Sequence, residues 1–306
     1  MKGLKISIVQ VGLLFMAIIL VTSCNTTTNK DKAKKSETKL DSGKLDEDLI
    51  NDFNKSKHIF YSLPSPLETA MLIKKSGSAY NEELLNSVEN VSKYNTNYKM
   101  ALNLGVYSAD LSYTSLFDQN QTSIKYMGNA RKLADGLGIL GAIDESSIEK
   151  LQENMNNREM VLEIISETFM NSNAYLAENN RPAIGVMVLV GGWVEGLYLA
   201  TKLTNGKMDN KQLIDRIIYQ KLSLETVISL IDEYNDSNDM GVLREKLEGL
   251  KLIYDNVEIK TGDVDAVTDA ETQTTTIKTN SEAIMSPEVF KSLLIKVEEI
   301  RNDFIS

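Results

Sequence analysis

Glu195 is the one charged residue in an apolar, glycine-rich run from Ala183 to Ala200. On a helix, Tyr198 three residues later lies on its face, while Trp193 two residues earlier lies well round the axis. Asp110 sits in a similar setting, with Tyr113 at i+3 and Tyr107 at i−3. Both are acid-x-x-Tyr on an otherwise apolar helix. A carboxylate in such a place must be paired, protonated or turned toward a cavity. If the two helices pack together, Asp110, Tyr113, Trp193, Glu195 and Tyr198 line one polar pocket. Two carboxyls about 5–9 Å apart across a sugar would permit glycoside hydrolysis, and the same pocket without acids at reaction distance would suit a small-ligand sensor. The favoured reading is structural: each acid is satisfied by a tyrosine hydroxyl, a backbone group or a lysine such as Lys125 or Lys202.

Other chemistries find little support. His58 is the only histidine, it has no Ser or Cys motif beside it, and no G-x-S-x-G elbow occurs. It reads as a structural, partly exposed histidine. One histidine and one cysteine exclude a His-rich zinc site, a cysteine-cluster metal site and a disulfide framework. Asp263, Asp265, Asp269 and Glu271 gather in one stretch, but the spacing lacks the third Asp or Asn and the central Gly of a calcium loop. That stretch reads as a solvated acidic loop. Gly136-x-Gly138 and Gly191-Gly192 lack the Lys-Ser/Thr of a phosphate-binding loop. A formal net charge of −10 argues against nucleic-acid binding, which needs a basic surface. No metal, cofactor or catalytic residue is therefore assigned.

The single cysteine, Cys24, has a different setting. Lys2 and Lys5 precede an apolar run, Val11 to Val21, which is followed by small polar residues. This order of charge, apolar segment and small residues is that of an export signal. The run Val21-Thr22-Ser23-Cys24 resembles the bacterial lipobox. The resemblance implies that residues 1–23 are a lipoprotein signal peptide, that the Cys24 sulfur receives a diacylglyceryl group, and that Cys24 becomes an acylated N-terminus, palmitate being the characteristic acyl chain. The alternatives are an ordinary secretory signal with a chance cysteine and a retained membrane helix; the abrupt end at Thr22 disfavours the second. Each buried CH₂ of an acyl anchor contributes about 0.8 kcal/mol, so several chains hold a protein stably.

Residues 24–45 would then be the lipidated cysteine and a disordered tether, too polar to bury a core. Six lysines against three acids leave residues 25–45 three charges positive. With the two leader lysines also set aside, the overall −10 leaves −15 on residues 46–306. A basic tether beside anionic headgroups and an acidic body held off them fits a membrane-tethered globule, though a plain solvated linker is the favoured account of the charge.

Residues 46–306 read as a single all-α domain, a bundle of antiparallel helices with a small β-hairpin near residues 257–279. Ser65-Pro66-Leu67-Glu68 is a capping box that opens a helix ending at Gly77. Helical spacing predicts further helices over 95–117, 119–137 (apolar at Ile124, Met127, Ala130, Ala134 and Leu137), 158–178 and 182–203. Ser146-x-x-Glu149 reads as a second capping box, and Asp209 with Gln212 as the start of a helix that breaks and restarts at Ser223. Another helix carries Leu243, Leu247, Leu250 and Tyr254, and Ser286-Pro287-Glu288 opens the last. Between these two, the β-prone runs Val257–Thr261 and Thr272–Thr279 flank the acidic stretch. Gly185, Gly191, Gly192 and Gly196 let neighbouring helices approach the central, most apolar helix. A second membrane span is disfavoured there, since it barely reaches spanning length and carries Glu195.

Three segments, Tyr61–Pro66, Leu102–Tyr107 and Gly191–Gly196, resemble uncharacterised all-helical lipoproteins of Bacteroides-like bacteria. The resemblance implies an envelope location and a helical fold, and no activity. The expectation is a non-enzymatic, lipid-anchored envelope protein whose body binds an envelope protein, peptide or glycan or plays a structural role. Asn25 after the cysteine is not the Asp of inner-membrane retention, which favours the outer membrane. The alternative is a carboxylate-based enzyme, for example one acting on glycans, or a small-ligand sensor around Asp110 and Glu195.

Overall fold

The structure is a computed structural model that describes residues 71, 73–142, 145–154, 157–235, 237–260, 264–269, 274–279 and 282–306. All of them fall in a compact unit spanning Asp46–Ser306. The signal segment, Cys24, the tether, His58 and the capping box at Ser65 lie outside the described residues, as do Asp263 and Glu271 of the acidic stretch.

The fold is all-α and multi-helical. Eight α-helices lie wholly within the described residues: α1 Asn97–Leu116, α2 Asn120–Gly136, α3 Glu145–Glu153, α4 Arg158–Glu178, α5 Pro182–Leu203, α6 Lys211–Glu233, α7 Asn238–Tyr254 and α8 Pro287–Ile305. Local sequence explains their limits. Thr96, Asn157, Asn210, Ser237 and Ser286 each cap a helix by accepting a backbone N–H with a side-chain oxygen. Pro182 and Pro287 occupy first-turn positions, where the missing N–H is no loss. The helical residues before α1 stop at Lys75, and Gly77 follows at φ +78°, a left-handed conformation that glycine enters freely.

Four expectations change at this level. The start of α6 is capped by Asn210, whose side chain accepts from the Leu213 N–H, rather than by Asp209. That helix also runs unbroken through Ser223, because Leu213, Ile217, Leu224, Val227 and Ile231 continue one buried stripe. Ser146 lies inside α3, which begins at Glu145, so it is not a cap. On α2 the inward face carries Ser123, Tyr126, Leu133 and Ala134 with Met127, while Ile124 is 42% exposed.

The centre of the body is α5 packed lengthwise on α1. Every residue of α5 from Ile184 to Thr201 is buried, beneath α1, α4, α6 and α8. The helix is long and apolar enough to cross a membrane, but 94% of its apolar window is covered by the protein itself, as for a core helix. Backbone meets backbone at the α1–α5 crossing. A methyl at Gly191 would run into the Leu102 carbonyl, and one at Gly105 would run into the Val188 carbonyl and lie 2.5 Å from the Gly192 nitrogen. Gly185 admits the Asn173 side chain of α4. Outside this pair, α2 covers α1, and α7 bridges α6 and α8.

The β excursion between α7 and α8 is built differently from the expected hairpin. Strand β1 (Glu258–Lys260) pairs antiparallel with β4 (Glu282–Ile284), and β2 (Val264–Asp269) pairs with β3 (Thr274–Thr279). The Thr-rich run therefore pairs with the acidic stretch, which is strand and not loop over Val264–Asp269. Asp265 stands opposite Lys278 in the register and Ala266 opposite Ile277.

Candidate functional site

The close approach of α1 and α5 brings the two acid-x-x-Tyr positions together, and α8 completes the site with a residue that sequence reasoning missed. Arg301 donates from Nε to Glu195 Oε2 at 3.0 Å and from Nη2 to Glu195 Oε1 at 3.2 Å. Glu195 is 0% exposed and Arg301 5%. The guanidinium also stacks on the Tyr198 ring, with its central carbon 4.5 Å from the ring centre. Burial works against the Arg301 charge, but the attraction and hydrogen bonds of Glu195 outweigh it, and the guanidinium is held more firmly protonated than usual.

Asp110 is 0% exposed and stands beside this pair. Its Oδ2 accepts the Asn86 N–H at 3.1 Å, and its Oδ1 has no donor. Burial above all, and then the charge of Glu195, raise its pKa well above the usual carboxylate range; Arg301 and the Asn86 N–H pull the other way without prevailing.

Around these three groups, side chains of the helices serve the backbone of one extended segment, Tyr80–Tyr94. This segment holds two short 3₁₀ turns, Glu82–Leu84 and Val88–Lys93, which pair only part of its backbone internally. The helices supply the partners. Arg301 Nη2 donates to the Leu84 carbonyl at 3.1 Å, Tyr126 to the Asn86 carbonyl at 2.9 Å, and Tyr107 to the Ser87 carbonyl at 2.9 Å. The Asn129 amide donates to the Val88 carbonyl at 2.8 Å, and the Asn81 N–H donates to the Tyr113 hydroxyl at 3.0 Å. The Asn86 side chain joins Tyr94 and Asn103, and Asn103 in turn donates to the Phe304 carbonyl near the end of α8.

Of the five residues expected to share a pocket, the structure unites Asp110, Glu195 and Tyr198 around Arg301. Tyr113 sits at the edge, stacked on Tyr80 with ring centres 5.4 Å apart. Trp193 does not belong: it points to α6, where its indole N–H donates to Gln220 Oε1 at 2.9 Å. The 100° turn per residue separates it from Glu195, as helix geometry requires. The lysines expected as partners are also elsewhere. Lys125 is exposed, and Lys202 pairs with Glu298 at 2.6 Å over the outer side of the Tyr198 ring.

Arg301 left a trace in the sequence. Phe290, Leu293, Val297, Ile300 and Phe304 form the buried stripe of α8, and Arg301 stands at i+4 from Val297 and i−3 from Phe304. A lone arginine on such a stripe needs a buried anion. Asn86, Asn103 and Tyr94 left no comparable signal, because they are satisfied by one another and by the backbone of Phe304 and Ile305, contacts that only the closed fold brings together.

The arrangement can hold a proton and neutralise a buried charge. It is packed in protein, and both carboxyls are shut from solvent. No cluster of three or more His, Cys, Asp or Glu side chains able to hold a metal ion occurs among the described residues. Comparison with protein-family models, curated proteins and solved structures returns no match to this chain.

Proposed function

We propose that this chain is a lipid-anchored envelope protein, carried on Cys24 and facing the periplasm from the outer membrane, whose helical body serves as a binding or structural element and not as a catalyst. The observation that supports the non-catalytic reading is the state of the two acids best placed for chemistry. Asp110 and Glu195 are fully buried, and Arg301 and the Asn86 backbone occupy them. A glycan-cleaving pair needs its two carboxyls on either side of an accessible bond. The partner of such a body would be an envelope protein, a peptide or a glycan.

The anchor rests on Lys2, Lys5, the apolar run to Val21 and the Val21-Thr22-Ser23-Cys24 sequence. Metabolic labelling with an alkyne-tagged palmitate tests it: the wild-type chain takes the label and Cys24→Ala does not. Equal labelling of the two overturns the anchor. The body is tested separately by incubating the purified protein with envelope glycans and measuring released reducing ends. Release that disappears in Asp110→Asn or Glu195→Gln would overturn the non-catalytic reading.

A further inference from the structure

Two carboxyl groups and one guanidinium share a site without solvent. A buried anion without a counter-charge is so costly that the group neutralises instead. Arg301 can balance one negative charge, and Glu195 takes it through a two-point pair. Asp110 is left over. Its Oδ2 already accepts the Asn86 N–H, while its Oδ1 is buried with no donor. A neutral acid resolves both problems: the carbonyl oxygen accepts from Asn86, and the hydroxyl donates to the neighbouring Glu195 carboxylate.

We propose that the segment Tyr80–Tyr94 is a pH-sensitive latch, held closed while Asp110 keeps its proton against the Glu195 carboxylate and released when that proton leaves. Asp110 is the point at which α1 grips the latch through the Asn86 N–H, and Arg301 is the point at which α8 grips it through the Leu84 carbonyl. Loss of the proton strengthens the Asn86 hydrogen bond itself but leaves two anions against one cation in a site without water, a charge that only solvent admitted by opening the latch can offset. The groups facing Asp110 are Glu195 from α5, Arg301 from α8, Tyr126 from α2, Tyr80 from the latch itself, and Tyr107 and Tyr113 from its own helix. The tyrosines are all held protonated by burial, so Asp110 is the group that changes charge first as pH rises.

The sign follows from linkage. Asp110 binds its proton more tightly folded than unfolded. Its contribution is fully present below the ordinary aspartate range and is lost as pH rises toward the folded value. The latched state therefore weakens by about tenfold per pH unit through that window, the effect of one linked proton.

Amide hydrogen exchange of the full-length protein, scaled to intrinsic rates, tests this between about pH 5 and about pH 9, a range well above an ordinary aspartate. Protection of residues 81–94 should fall with pH in the wild type, while α6 and α7 keep theirs. Asp110→Asn replaces the hydroxyl by an amide donor that cannot ionise, so protection of the latch should become independent of pH. Glu195→Gln provides a second, independent variant: Asp110 becomes the sole anion paired with Arg301, and the pH dependence should again vanish. Parallel pH profiles in wild type and either variant overturn the latch. So does a loss of protection in the wild type that spreads equally over α6 and α7, which would be global unfolding.

Discussion

Arg301 and Glu195 lie 106 residues apart and meet through two hydrogen bonds, at 3.0 and 3.2 Å, in a site neither can leave for water. Breaking such a pair from one side strands a charge and typically costs about 3–5 kcal/mol. Glu195→Leu should therefore destabilise by about that amount in chemical denaturation. Glu195→Gln should cost clearly less, because its amide oxygen still accepts from Arg301 where leucine offers no acceptor. Equal losses in the two variants would show that these hydrogen bonds add nothing beyond the charge.

The backbone contact between α1 and α5 makes a prediction at Gly191 and Gly105. A single methyl at either residue meets a carbonyl of the opposite helix, which has no room to move aside. Gly191→Ala and Gly105→Ala should each lose about 1–3 kcal/mol or more by overpacking, despite the better helix propensity of alanine. At Gly128, where a methyl meets nothing within 4 Å, the same change should stabilise slightly. Thermal melts of the three variants give the order; a melting temperature unchanged at Gly191 would mean that the helices are farther apart than they are placed.

The cap of α6 can be assigned by two alanine substitutions. Asn210 accepts the Leu213 N–H and also donates to the Ser76 carbonyl. Asn210→Ala should cost about 1 kcal/mol or somewhat more, the usual loss for a capping residue. Asp209→Ala should be close to neutral. Urea midpoints that put the larger loss at Asp209 would restore the cap expected from sequence.

Ser223 distinguishes one long helix from two short ones. In a continuous α6, Ser223→Pro removes a backbone donor and clashes with the carbonyl a turn earlier, costing about 3 kcal/mol or more. At the start of a new helix the same proline would be tolerated. A melting temperature close to that of wild type would contradict the unbroken helix.

Several elements were legible from local sequence because their causes are local. Pro182, the apolar run and the polar end at Thr204 bound α5, and Ser286-Pro287 opens α8 as expected. The break expected at Ser223 does not occur, since one half-buried serine ends no helix when the apolar stripe continues on both sides. The nesting of β1 with β4 around β2 and β3 was hidden too. Strand pairing depends on which segments meet, and the aspartates of Val264–Asp269 disguised a strand that pairs with the Thr-rich run.

Sequence alone determined that Glu195 and Asp110 had to be paired, protonated or turned toward a cavity, because an isolated carboxylate among apolar helical neighbours is too costly. It also determined that small residues such as Gly191 would bring another helix close. Tertiary structure alone decided which residue would do the neutralising and what the site would hold. The register of α8 against α5 sets Arg301, and not Lys202 or Lys125, opposite Glu195. The path of Tyr80–Tyr94 across α1 then turns the remaining carboxyl of Asp110 into a clasp for the Asn86 backbone. Neither fact is local: each depends on contacts between segments far apart in the chain, which form only when the whole core closes.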